Sequence, residues 1–162
     1  EKNGLTHAVV VFGAQHALHR RSIEGQDGLD VKIAVNPDVE AGPFASLQAG
    51  IKALQSEHKG AFVLPVDVPC PAREAMDLLC AAMTGKVQAC IPEYQGKGGH
   101  PVLLASSFLE SAANISPHAP EGRLDLQLRK LAASKIARIP VNDGQVVMDL
   151  NTPEDWKRYA AV

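Results

Sequence analysis

Four short apolar runs alternate with segments of helical periodicity in this chain, and that alternation narrows the folds open to it. The runs are Ala8 to Phe12, Val31 to Val35, Ala61 to Val66 and Val87 to Pro92. They are continuous rather than alternating, which predicts strands covered on both faces, as in a parallel sheet. Between them, Phe44, Leu47, Ile51 and Leu54 recur at spacings of three and four, with Gly60 closing the segment. Ala75, Met76, Leu79, Ala82 and Met83 do the same, with Gly85 placed as a left-handed cap. Strand and helix repeated at this length predict right-handed crossover units, and so an α/β fold with a mainly parallel sheet.

The second half is less regular, and such a break in an α/β chain marks an inserted substrate-binding element. Gln95 to Pro101 reads as a glycine-rich loop, followed by a strand at Val102 to Leu104. A helix carrying Phe108, Leu109 and Ala112 opens with Ser107 and Glu110 at capping-box spacing. Asn114 to Gly122 predicts a loop, Leu124, Leu128 and Leu131 another helix, and Ile136 to Val141 another strand. Asn142, Asp143 and Gly144 read as a hairpin turn into a strand at Val146 to Met148. A last helix starts at Thr152, with Pro153 in its first position and Glu154 and Asp155 near its positive end.

Composition removes several classes of function. A length of 162 residues fits one domain spanning 1–162, and 46% hydrophobic with 21% charged residues describes a globular chain with a real core. Sixteen basic against eighteen acidic residues leave a net charge of −2, which offers no electrostatic footprint for a nucleic acid. No run approaches the ~18 apolar residues of a membrane span, and Glu1 to Gly4 lack the apolar core of a signal peptide. A cytoplasmic protein with no membrane partner is expected. Cys70, Cys80 and Cys90 are spaced unlike a disulfide framework or zinc ligand pairs; Cys80 and Cys90 read as small buried hydrophobes.

Ligands of open α/β sheets sit at the carboxyl ends of the strands, so the strand exits carry the candidate chemistry. Asp67, followed by Val68 and Pro69, is a lone carboxylate at the tip of an apolar strand. It suits either a hard cation such as Mg2+, which takes one or two protein oxygens, or the N-cap of the next helix. Gly42, Pro43 and Ser46 open a helix whose free amides form a positive end, or simply build a good helix start. Gly96, Lys97, Gly98, Gly99, His100 and Pro101 place a cation and an imidazole on otherwise bare backbone, in a binding loop or an ordinary turn. Asp149 and Asn151 are two apart in an extended segment, so both can point to one side and one of them can share a cation with Asp67; the alternative, capping of the last helix, suits Asn151 and Thr152 better than Asp149. His16 and His19, beside Arg20 and Arg21, read as a solvated helix face. No nucleophile with a neighbouring base is readable, so covalent catalysis has no support.

Taken in order, Gly42-Pro43-Phe44-Ala45-Ser46, Leu64-Pro65-Val66-Asp67-Val68-Pro69, Gly98-Gly99-His100-Pro101 and Asp149-Leu150-Asn151-Thr152-Pro153-Glu154-Asp155 resemble the MobA-like nucleotidyltransferases of molybdenum-cofactor biosynthesis. The resemblance implies a Rossmann-like α/β sandwich of the nucleotide-diphospho-sugar transferase kind. It also implies transfer of a nucleoside monophosphate from GTP or CTP to a phosphorylated small molecule, with Mg2+ and release of pyrophosphate. The molybdoenzyme that receives the cofactor, or its chaperone, follows as a partner. On this resemblance Asp67 is the metal-binding and catalytic aspartate, Asp149 and Asn151 complete the metal site, Gly42, Pro43 and Ser46 border the nucleotide, and Gly99, His100 and Pro101 face the acceptor.

Asn151 matches the guanylyl-transferring relatives, whereas the Gly-His-Pro loop leans toward the cytidylyl-transferring ones. The family also opens with a strand and a glycine-rich loop carrying arginine and lysine, and nothing like it precedes Ala8. Position 1 is expected to fall inside the first helix, and the 162 residues alone to be nearly inactive. Rival expectations are a cytidylyltransferase for another acceptor and a non-catalytic nucleotide-binding module.

Overall fold

The computed structural model describes residues 7–13, 30–54 and 58–160. In chain order its elements are β1 (His7–Phe12), β2 (Asp30–Val35), α1 (Gly42–Ala53), β3 (Gly60–Val63), α2 (Arg73–Ala82), β4 (Ala89–Tyr94), β5 (Lys97–Gly98), β6 (Val102–Ala105), α3 (Ser106–Ala113), α4 (Leu124–Lys130), β7 (Ile136–Pro140) and α5 (Pro153–Ala160). Short 3-10 helices lie at Val39–Ala41, Ala133–Lys135 and Gly144–Val147. The chain divides into two compact units, Glu1–His58 with Leu109–Lys130, and Lys59–Phe108 with Leu131–Val162. The helix read around His16, His19, Arg20 and Arg21, and the placement of position 1 in a helix, fall outside the described residues.

In the first unit β1 and β2 pair in parallel, from His7 opposite Asp30 to Phe12 opposite Val35. Helix α1, which follows β2, packs on both strands. It buries Phe44, Ala45 and one polar residue, Gln48. The Gln48 amide is satisfied there, donating to the carbonyl oxygens of Ala112 at 2.8 Å and Ile115 at 2.6 Å, which ties α1 to the end of α3.

The second unit holds a five-stranded sheet. Strand β6 pairs antiparallel with β3 and with the start of β4, the β4–β5 hairpin continues along the same edge of β4, and β7 pairs in parallel along its other edge. Thus β3, β4 and β7 share one direction while β6 and β5 run against it. Helix α2 covers the sheet through Leu79, which clusters with Cys90 and Leu103, with Phe62 packed against the cluster. A fully buried leucine of this kind contributes roughly 1.5–3 kcal/mol. A second cluster joins Ala75 to Val141 and Val146, with Tyr94 and Ile139 packed against it.

Local expectations change at several places: β3 stops at Val63, short of the expected Val66, and Lys97–Gly98, read within a loop, pairs with β4. The segment read as a hairpin and strand at Val146 to Met148 is the 3-10 helix Gly144–Val147, because the Asp143 carboxylate accepts the Gln145 amide at 2.9 Å and starts a tight helical turn. Ser107 does not stand at the cap position that its capping-box spacing with Glu110 predicts. Helix α3 begins one residue earlier, at Ser106, and the Ser107 hydroxyl accepts from Gln88 Nε2 at 3.2 Å. Cys90 is buried as expected, but Cys80 is exposed, since it lies one residue past Leu79 and so leaves the face that α2 buries.

Candidate functional site

The direction of the strands explains which candidate residues meet. Strands β3, β4 and β7 end at one margin of the second unit's sheet, and antiparallel β6 begins there, with Val63 at the end of β3 opposite Val102 at the start of β6. Asp67, the Gly98 to Pro101 loop and the segment after β7 are therefore delivered to the same margin by chain topology.

Hydrogen bonds fix them to one another. Beyond β3 a turn closes with the Val68 amide donating to Pro65 at 3.2 Å, and Asp67 lies within it. Helix α2 begins at Arg73 with Ala72 at its cap position, so Asp67 is not its N-cap, and that alternative is removed. The Leu150 amide donates to the Asp67 carbonyl oxygen at 2.7 Å. Leu150 is buried while Asp149 and Asn151 on either side are exposed, the alternation expected of an extended segment with both polar side chains on one side.

The glycine-rich loop is anchored as firmly. The His100 amide donates to Val146 at 2.7 Å and the Gly99 amide to Pro92 at 2.8 Å. Gly99 is required by this approach, since a Cβ on it would overlap the Val146 carbonyl. Pro101 is buried behind a cis His100–Pro101 peptide, and His100 Nδ1 is buried without a hydrogen-bond partner among the described residues. The stretch from Gly144 to Leu150 thus touches both the loop and Asp67.

Beside it a depression is lined by Asp149, Asn151, Asp155 and Arg158, with Gly144, Val147 and Met148 as its remaining wall. The start of α5 shapes this side. The Asp155 amide donates to the Thr152 hydroxyl at 3.2 Å, and Asp155 Oδ2 accepts from the Thr152 hydroxyl at 2.7 Å and the Thr152 amide at 2.9 Å, a reciprocal cap. The Thr152 hydroxyl, first, and its amide hold the Asp155 carboxyl below the usual carboxylate range. No hydrogen bond or ion pair occupies the carboxylate of Asp67 or Asp149 among the described residues. Two unoccupied carboxylates and the Asn151 amide oxygen are hard donors of the kind Mg2+ takes. Among the described residues no group of three or more His, Cys, Asp or Glu is arranged to hold a metal, so a cation here would draw most of its ligands from phosphate and water.

Gly42, Pro43 and Ser46 belong to the first unit and are organised by a residue the sequence reading passed over. Asn36 is buried; its amide nitrogen donates to the Ser46 hydroxyl at 3.0 Å and its side-chain oxygen accepts the Asp38 amide at 2.9 Å. Gly42 has φ +76°, which favours glycine, and Pro43 stands at the start of α1. A second overlooked residue is Asp143, whose carboxylate also accepts the Ala72 amide at 2.7 Å and so caps α2 from a distance. An alanine at a helix cap position is the one sequence sign that such a distant acceptor exists.

An α/β fold that brings Asp67 and the Asp149 to Asn151 segment to one margin of a sheet defines the class, and comparison with known proteins gives the family. The MobA-like NTP transferase domain matches residues 3–135, and the chain belongs to that family. It is similar to the molybdenum cofactor cytidylyltransferase of Escherichia coli (strain K12), 24% identical over 137 residues that make up 82% of this chain and 66% of the relative, just under two thirds of its length. The fold is shared with Rv0371C of Mycobacterium tuberculosis H37Rv in its complex with manganese, at TM-score 0.73 and 20% identity over 99% of this chain and 81% of the other. It is also shared with molybdopterin-guanine dinucleotide biosynthesis protein A of Archaeoglobus fulgidus, at TM-score 0.54 and 19% identity over 91% and 75% of the two chains. No helix among the described residues is long and apolar enough to cross a membrane.

Proposed function

We propose that this protein, read as one transferase domain over residues 1–162, transfers a nucleoside monophosphate from GTP or CTP to a phosphorylated small molecule and releases pyrophosphate. Molybdopterin is the acceptor this reading favours, with a molybdoenzyme or its chaperone receiving the product in the cytoplasm. The observation that carries it is the Leu150 to Asp67 backbone bond, which places the Asp149-Leu150-Asn151 segment against the strand-end aspartate. The name of the Escherichia coli relative supports CTP and this acceptor.

The reaction needs no protein nucleophile. An acceptor phosphate oxygen forms the new bond to the α-phosphorus as the bond from that phosphorus to the bridging oxygen breaks, and pyrophosphate leaves with the electron pair. Asp67, Asp149 and Asn151 would hold Mg2+, which when bound neutralises charge on the phosphates. Asp67 supplies a carboxylate whose backbone is already fixed, so little reorganisation accompanies the transfer. Gly42, Pro43 and Ser46 border the nucleotide, and Gly99, His100 and Pro101 orient the acceptor.

Incubating the full-length protein with molybdopterin and each NTP in turn, with Mg2+, and reading the products by mass spectrometry tests this. A pterin dinucleotide from CTP or GTP is expected. A protein that binds NTP and forms no dinucleotide with any of them is instead a binding module.

A further inference from the structure

Among the described residues lining the depression beside Asp149, Arg158 is the one cation, and its ion pair with Asp155 makes little use of it. Arg158 lines it together with Asp149, Asn151 and Asp155, and three residues of spacing put Asp155 and Arg158 on the same face of α5. The obvious partner for the guanidinium is Asp155. Its Oδ2 is taken by the two bonds from Thr152, and its Oδ1 stands 3.9 Å from Arg158 Nη1, beyond hydrogen-bond length. The Arg158 side chain is 73% exposed. A planar set of five donors therefore lines a polar depression together with the Asp149 carboxylate and the Asn151 amide.

Resting on the nucleotidyltransferase reading, we propose that Arg158 is the anion-gripping residue of this site: its guanidinium binds oxygens of a phosphate group that enters the depression. Arginine suits this because its fork meets two phosphate oxygens at once, where lysine offers a point charge. Asp149 and Asp155 restrict what enters, since an anion without a second source of positive charge is repelled from them. The phosphate is either the monoester of the acceptor or the departing pyrophosphate, and the two have the same recognition chemistry.

Titration calorimetry with phenyl phosphate and, separately, with pyrophosphate, each in the presence of Mg2+, separates these sources on the full-length protein and on Arg158→Ala and Arg158→Lys. The inference expects Arg158→Ala to weaken one of the probes at least tenfold, Arg158→Lys to recover part of that loss, and the melting temperature to stay unchanged, because the residue is exposed and its ion pair long. The weakened probe identifies the source. Equal affinity of the wild type and Arg158→Ala for both probes, or no binding of either by the wild type, overturns the inference. Dinucleotide formation by Arg158→Ala at the wild-type rate also overturns it while leaving the transferase reading intact, whereas loss of that reading shows as no dinucleotide from the wild type.

Discussion

The backbone amide of His100 donates to the carbonyl oxygen of Val146 at 2.7 Å, and this bond joins the glycine-rich loop to the 3-10 helix that leads into Asp149. The two segments lie more than forty residues apart in the chain, yet this bond ties them directly to one another. Substitutions at Gly99 and at His100 should therefore separate the scaffold from the chemistry.

Gly99→Ala forces a methyl group against the Val146 carbonyl. Overpacking of that kind costs typically about 1–3 kcal/mol, and here it also opens the bond to Pro92. A melting temperature several degrees below wild type is expected in a thermal scan, with activity falling alongside it.

His100→Ala keeps the peptide bond to Val146 and removes a ring nitrogen that has no partner among the described residues. Stability should stay within about 1 kcal/mol of wild type. Steady-state kinetics should show the KM for the acceptor raised or kcat lowered, with NTP affinity changed less than about threefold, or ~0.7 kcal/mol. Loss of NTP affinity with an unchanged acceptor KM would place the loop on the nucleotide side.

Gln48→Ala removes a buried amide and leaves the Ala112 and Ile115 carbonyl oxygens without it. A loss of about 1–3 kcal/mol is expected in urea unfolding, with the slope unchanged. The same variant with wild-type stability would mean that water replaces the amide.

The Asp155 carboxyl lies below its ordinary value of 3.8 in the folded protein, chiefly through the Thr152 hydroxyl. A depressed folded-state value means that the ionised cap stabilises above the unfolded value and that this contribution disappears as the pH falls through the folded one. The stability difference between wild type and Asp155→Asn should thus be constant near neutral pH and shrink below 3.8, read from melting curves across pH. A difference independent of pH contradicts the role given to the charge.

The alternating order of strands and helices was legible because continuous apolar runs and i, i+3, i+4 spacing are local properties, and every run placed as a strand forms one except Val146 to Met148, although β3 stops at Val63, short of the expected Val66. That segment was misread because its conformation is decided by the Asp143 carboxylate, and Asn-Asp-Gly fits a hairpin equally well. Asp67 stood out as a polar end to an apolar strand, but whether it capped a helix depended on where α2 begins. Ala72 at that position and the acceptor lent by Asp143, seventy-one residues away, settle it, and no local pattern carries such information. Asn36 was invisible for the same reason, since its importance lies in a burial that only the folded unit creates.

The most direct measurement is pyrophosphate release by the full-length protein and by Asp67→Asn, with molybdopterin, Mg2+ and either CTP or GTP, alongside their melting temperatures. The account predicts that the wild type releases pyrophosphate only when the acceptor is present. Asp67→Asn should lose at least ~100-fold of that rate while melting at the same temperature, because an amide cannot supply the charge of the ligand. An unchanged rate in Asp67→Asn at equal stability would contradict the assignment of the site.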